Sequence, residues 1–170
     1  IIEQYGVDAL RYYLMTSPVM QADNLFFSER EVRDVYNKVI NILSNVVSFY
    51  QMYVNETSDF SNQTSATTKP KSEVRSPKSS HVLDKWILAK LQILVKDVTE
   101  NMDNYDTVKA GRPIKEFIDE LSTWYLRRSR DRFKHDARDM ENDTNDREYA
   151  LTTLREVLLT LSKVMAPFTP

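Results

Sequence analysis

Ser28-Glu29-Arg30-Glu31-Val32-Arg33-Asp34-Val35-Tyr36-Asn37-Lys38-Val39 opens the stretch that decides the fold. Its first four residues have the form of a capping box, in which the serine oxygen accepts from a first-turn amide and Glu31 reaches back to the start. Beyond them Val32, Val35, Tyr36, Val39, Leu43, Val46, Val47, Tyr50 and Tyr53 recur at threes and fours. That spacing places them on one face of a helix running to about Tyr53.

Working outward, the same periodicity returns four more times. Val7, Ala9, Leu10, Tyr13 and Leu14 predict a short helix that stops before Pro18, because a proline disfavours helix in the residue preceding it. Leu83, Trp86, Ile87, Leu91, Leu94, Val95, Val98 and Met102 mark a long helix from about Ser80. Asp106 caps the next, with Val108, Ile114, Phe117, Ile118, Leu121 and Tyr125 as its stripe and Gly111 and Pro113 expected to kink its first turns. The last begins at Asp143 or Thr144, carries Leu151, Leu154, Val157, Leu158, Leu161, Val164 and Met165, and ends at Ala166-Pro167. Four long amphipathic helices with no strand pattern predict an all-α antiparallel helix bundle. Residues 55–80 are rich in Ser, Thr, Lys, Asn and Pro and poor in large apolar side chains, so they read as a mobile loop joining helices of one bundle.

Composition narrows the function classes. With 2 Gly and 6 Pro in 170 residues, an all-β fold lacks material for its turns. Without Cys, and with only His81 and His135, there is no disulfide framework, thiolate zinc site or cysteine nucleophile, and a histidine-rich metal cluster is excluded. Two isolated glycines supply no phosphate-cradling loop, so nucleotide hydrolysis by this chain is not expected. Asp119-Glu120 and Asp136, Asp139 and Glu141 read as solvated carboxylates, His81 as an ordinary residue near a helix start, and His135 as a solvated histidine. No apolar run approaches the ~20 residues that cross a bilayer. The chain opens Ile1-Ile2-Glu3 with neither initiator Met nor signal-peptide pattern, as expected of a piece excised from a longer protein.

A net charge of −2 makes one segment conspicuous: Trp124-Tyr125-Leu126-Arg127-Arg128-Ser129-Arg130-Asp131-Arg132-Phe133-Lys134 holds five cations against one carboxylate. At 100° per residue, Arg127, Arg130 and Lys134 fall on the outer face, whereas Arg128 and Arg132 continue the inward stripe of Ile114, Ile118, Leu121 and Tyr125. Three readings fit: pairing of arginines with bundle carboxylates, a phosphate-binding or base-stacking edge with aromatic side chains, or a protein-docking patch.

Tyr5-Gly6-Val7-Asp8-Ala9-Leu10-Arg11-Tyr12-Tyr13-Leu14, Leu83-Asp84-Lys85-Trp86-Ile87-Leu88, Trp124 to Phe133 and the closing Val157 to Pro170 together resemble isoleucyl-tRNA synthetase. The Trp-Tyr-Leu-Arg-Arg-Ser-Arg-Asp-Arg-Phe string is similar to the eukaryotic-like branch of that family, whereas the first string also suits valyl and leucyl enzymes. The resemblance implies a connecting segment over 1–27 that follows a catalytic domain, then a helical anticodon-binding domain over 28–170. It implies an RNA-facing surface at Trp124, Arg127, Arg128, Arg130, Arg132 and Phe133, with a second patch at Lys38, Asn41 and Asn45.

Neither the HIGH-type nor the KMSKS-type signature occurs, and no editing domain fits the length, so the chain itself is expected to hold no catalytic site, no metal and no cofactor. ATP and Mg belong to the parent enzyme that the resemblance implies. Its partners would be isoleucine tRNA and the catalytic and editing domains of the same polypeptide, in a monomeric, cytoplasmic protein without membrane contact. A helical protein-interaction module without RNA binding is the alternative from another class.

Overall fold

The computed structural model describes residues 1–61, 81–134 and 143–170, and among these it is helical without strands. Helix α1 spans Ile2–Met15 and bends at Gly6, whose φ of 82° leaves the helical region and so separates a first turn from the predicted start at Val7. A 3-10 turn, Pro18–Gln21, follows. Glu29–Val35, a π-turn at Tyr36–Asn41 and Ile42–Ser61 run on with helical dihedrals as one rod, α2. Helix α3 is Val82–Asp103. Thr107–Asp119, a second π-turn at Glu120–Leu126 and Arg127–Phe133 form a second composite rod, α4. Helix α5 is Asp143–Met165.

Side-chain pairings give the directions. Asp84 and Trp86 near the start of α3 meet Arg132 and Trp124 late in α4, so these helices run antiparallel. Arg132 and Asp146 join the end of α4 to the start of α5. Along the α2–α4 seam, Phe49 and Tyr53 meet Phe133, both helices pointing the same way. Successive long helices therefore alternate in direction, as an antiparallel bundle requires. One hydrophobic cluster, including Val32, Val39, Ile87, Leu91, Ile114, Ile118, Leu121, Leu154 and Leu161, fills the centre.

Helix α1, placed by sequence in a connecting segment, buries Tyr5, Ala9, Tyr12 and Tyr13 in that same cluster. The Tyr12 hydroxyl donates to the Gly111 carbonyl at 2.6 Å, and Arg11 donates to the Pro167 carbonyl at 3.1 Å. Gly111 earns its place through this approach: a Cβ there would run into the Thr16 methyl and the Phe168 ring. The helix continues through Gly111 and Pro113 rather than breaking at them.

Three local expectations change. Ser28 does stand at the N-cap of α2, but its side chain makes no capping bond; Glu31 instead lies beside Tyr13, whose phenol is shifted up in pKa by burial and by that carboxylate. His81, read as an ordinary residue, caps α3, its Nδ1 accepting from the Leu83 amide at 3.2 Å. Helix α2 continues to Ser61, into the segment expected to be a loop; residues 62–80, like His135 and the carboxylates at 136, 139 and 141, lie outside the described residues. The Asp106 cap is as predicted, its side chain accepting from the Lys109 amide at 2.9 Å.

Gly111→Ala should lower stability by ~1–3 kcal/mol, the cost of overpacking outweighing the gain in helix propensity. Thermal unfolding checks this, and adding Thr16→Ser, which removes the obstructing methyl, should recover part of the loss.

Candidate nucleic-acid interface

The cationic end of α4 is positioned from inside the bundle. Arg132 reaches between two helices and binds a carboxylate on each. Its Nη1 and Nη2 donate to Asp84 at 2.7 and 2.8 Å, while Nε and Nη2 donate to Asp146, both at 2.7 Å. Asp84 has no solvent exposure and also accepts from the Tyr125 hydroxyl at 2.9 Å. Burial, then the Asp84 charge, pushes the Tyr125 phenol well above its usual pKa. Burial alone would weaken the protonation of Arg132, but the hydrogen bonds to Asp84 and Asp146 more than reverse it. Asp146 is in turn held below the usual carboxylate range by the Arg132 hydrogen bond.

Arg147, also buried, donates to the Phe133 carbonyl at 3.0 Å and to the Tyr53 carbonyl at 3.3 Å, so the end of α4 and the later part of α2 are tied to α5. Cations near helix C-termini interact favourably with the carbonyl end.

Arg127, Arg130 and Arg132 fall on the faces that a uniform helix predicts, but Arg128 does not. Arg132 points inward, as expected, but Arg128 is exposed, and the residues buried after Tyr125 are Leu126, Ser129 and Phe133. The π-turn at Glu120–Leu126 explains the difference: its wider turn delays the rotation, so the inward positions that follow are displaced along the sequence. Two RNA-facing assignments are corrected by this geometry. Phe133 is 0% exposed, packed edge-on against Phe49 at 5.1 Å and beside Tyr53 at 5.9 Å, and offers no ring face to a ligand. Arg132, its side chain 11% exposed, spends four donor bonds on Asp84 and Asp146.

The remaining predicted residues form two outward surfaces flanking the rod. On the α2 side, Arg127 and Arg130 border a groove of about 350 Å³ with Asn45, Val46, Phe49, Ser122 and Leu126. Arg127, Arg130 and Asn45 are exposed, and neither arginine has a salt-bridge partner among the described residues. On the α3 side, Trp124 is 45% exposed and carries the Arg128 guanidinium over its ring, 3.7 Å from the centre. Lys38 is exposed but lines a different groove, about 730 Å³, with Tyr12, Arg112 and Lys115, and pairs with Asp34 at 3.6 Å. Asn41 is exposed on α2 between Lys38 and Asn45. The second patch thus joins the arginine helix through Asn45, with Lys38 one groove away.

Sequence reasoning missed Asp84, Asp146 and Arg147, the residues that hold the site, and Trp86, which packs on Trp124 with ring centres 6.4 Å apart. Asp84 was detectable as a carboxylate just inside an apolar helix beside an arginine-rich one. Trp86 had the spacing of a core residue and nothing to mark it further. No His/Cys/Asp/Glu group suited to a metal ion occurs among the described residues, and no helix among them is long and apolar enough to cross a membrane.

A helix bundle with a groove between parallel helices, bordered by arginines without a salt-bridge partner among the described residues, suits a helical nucleic-acid-binding domain. The family model described as the anticodon-binding domain of tRNA ligase matches residues 84–170, just over half of the chain, and the chain belongs to that family. Over its whole length it is 40% identical to an isoleucine–tRNA ligase of Chlamydia muridarum, 42% to one of Chlamydia trachomatis serovar D and 35% to one of Protochlamydia amoebophila. The chain spans 15% of the length of each of these relatives.

Asp84→Ala should cost ~3–5 kcal/mol, because it takes from a largely buried guanidinium one of its two carboxylates and from a buried phenol its acceptor; urea unfolding measures it, and a loss under ~1 kcal/mol, the level of an exposed pair, would contradict the clamp. Asp146 adds a pH dependence. Its folded pKa lies below its unfolded value of about 3.9, so its contribution is complete above that value and lost as pH falls through the lower, folded one. The difference in melting temperature between the parent chain and Asp146→Asn should therefore be constant at neutral pH and shrink on acidification below about pH 4.

Proposed function

We propose that this chain is the anticodon-binding part of an isoleucine–tRNA ligase and grips the anticodon stem-loop of isoleucine tRNA, so that the acceptor end reaches a catalytic domain elsewhere in the same polypeptide. Residues 28–170 form the binding domain in this reading, and 1–27 connect it to the catalytic part. ATP and Mg act at that catalytic part, and the contribution of this chain to aminoacylation is positional. A monomeric, cytoplasmic protein, in contact with catalytic and editing domains of its own polypeptide, completes the reading.

The observation that carries it is the pair Arg127 and Arg130, exposed beside Asn45 along the α2–α4 groove and without carboxylate partners among the described residues. Guanidinium groups left so in an otherwise acidic chain suit phosphate, whose backbone supplies most nucleic-acid affinity, and an asparagine alongside supplies amide donors and acceptors for a base edge. Membership in the anticodon-binding family and the names of the relatives support the same assignment. Trp124, Arg128, Asn41 and Lys38 extend the surface to either side of the groove, while Arg132 and Phe133 serve it from within.

Arg127→Ala and Arg130→Ala should leave stability within ~0.5 kcal/mol of the parent, since neither side chain is packed. Binding of an isoleucine-type anticodon stem-loop should weaken, each change lowering the slope of log K against log salt by about one unit if the contact is to phosphate. A double variant that binds the stem-loop as the parent does at every salt concentration would overturn the assignment.

A further inference from the structure

Trp124 has the look of a base-stacking platform, yet one face of its ring is already taken. The Arg128 guanidinium carbon sits 3.7 Å from the ring centre, which is stacking distance. Trp86 of α3 packs against the same indole with ring centres 6.4 Å apart and planes inclined by 51°. Behind it, the Lys90 ammonium lies 5.8 Å from the Trp86 ring and bridges Glu120 at 2.8 Å. Arg128, Trp124, Trp86 and Lys90 thus form a row crossing from α4 to α3, braced at the Lys90 end by an ion pair to α4 and open at the Arg128 end.

What the row displays is Arg128. It is exposed and has no salt-bridge partner among the described residues. An exposed arginine ordinarily samples many rotamers; one laid over an indole has given up much of that freedom before any ligand arrives, which lowers the cost of binding. Its outer face is planar and weakly hydrated, and its N–H groups radiate in the plane. That surface matches an unstacked nucleobase, which single-stranded RNA loops present and which proteins hold on arginine planes as well as on aromatic rings. A carboxylate or phosphate would instead approach the edge and have no need of the indole beneath.

Resting on the stem-loop reading above, we propose that Arg128 is the stacking contact for one unpaired base of the bound RNA loop. Trp124 is then a positioning residue that holds the guanidinium over its ring, with Trp86 and Lys90 behind it. The loop straddles the end of α4, its backbone on the Arg127, Arg130 and Asn45 side and one base on the Arg128 side.

The test uses the whole chain and anticodon stem-loops carrying 2-aminopurine at each loop position in turn, with circular dichroism melting to verify folding. One position should change fluorescence on binding, and Arg128→Ala should abolish that change and weaken affinity roughly five- to a hundred-fold, the range for one stacked base. Arg128→Lys, which keeps the charge but cannot stack, should lose as much as Arg128→Ala. Trp124→Ala should lose a similar amount and the double variant Trp124→Ala/Arg128→Ala no more than either, because both break one contact, whereas Trp124→Phe should retain binding.

Parental binding by Arg128→Lys would overturn the proposal in favour of a simple charge contact with phosphate or an acidic partner. Multiplying losses in the double variant would overturn it in favour of direct contact by Trp124, and unchanged fluorescence at every loop position would overturn it outright. If Arg127→Ala/Arg130→Ala loses affinity while the Arg128 variants do not, this inference alone falls. If that double variant also binds normally, the RNA reading of the helix falls with it.

Discussion

One buried guanidinium organises the functional end of the bundle. Arg132 binds Asp84 of α3 and Asp146 of α5 with four hydrogen bonds of 2.7 to 2.8 Å, and the Tyr125 hydroxyl fills a further lone pair of Asp84. Three helices meet at this point, and a forked, planar cation is the side chain that can satisfy two carboxylates from different directions at once. Charge taken out of water in this way contributes little net stability over a well-packed apolar cluster. Its effect is directional, because bidentate bonds fix the azimuth of the last two turns of α4, and with it the faces on which Arg127, Arg128 and Arg130 emerge. Arg147 adds to the same end by tying the Phe133 and Tyr53 carbonyls to α5.

The π-turn before the arginines gives each cation a separate use. In an uninterrupted helix Arg128 would fall on the inward stripe with Arg132, and two cations would compete for the buried carboxylates. With the turn widened over Glu120–Leu126, Ser129 and Phe133 take the inward positions and Arg128 moves out over Trp124. The facing rod, α2, has its own π-turn at Tyr36–Asn41, just before Asn45. The groove that Asn45 shares with Arg127 and Arg130 therefore lies just after the change of register in the α2 wall and across it in the α4 wall, where Ser122 and Leu126 belong to the π-turn. Irregular turns of this kind recur where helices build binding surfaces.

Much of the fold was legible because it follows from periodicity. The apolar stripes of the long helices, the Asp106 cap, the break before Pro18 and the helix from Asp143 to Met165 all rest on local spacing and proline sterics, which the chain carries openly. What was not legible depends on hydrogen bonding across distance or on register within a helix. A π-turn has no composition of its own, so extrapolating 100° per residue past Tyr125 put Arg128 inside, and the burial of Phe133, which the family resemblance placed among the RNA-facing side chains, was equally unmarked. The seven residues from Asn55 to Ser61 look like a loop by composition, yet they continue α2. Asp84 was given no role by its local sequence, and only the fold brings it to Arg132, 48 positions away.

In the proposed role, then, the cationic segment divides its labour: Arg132 orients, Arg127 and Arg130 meet the RNA backbone along the groove, and Arg128 faces an unpaired base. Nuclear magnetic resonance of the arginine Nε–H groups, recorded while an isoleucine-type anticodon stem-loop is titrated into the full chain, tests that division most directly. The account predicts that the Arg127, Arg128 and Arg130 signals move with RNA while the Arg132 signal, shielded between Asp84 and Asp146, stays in place. Movement of Arg132 as large as that of Arg127 and Arg130, or stillness of all four, would contradict it.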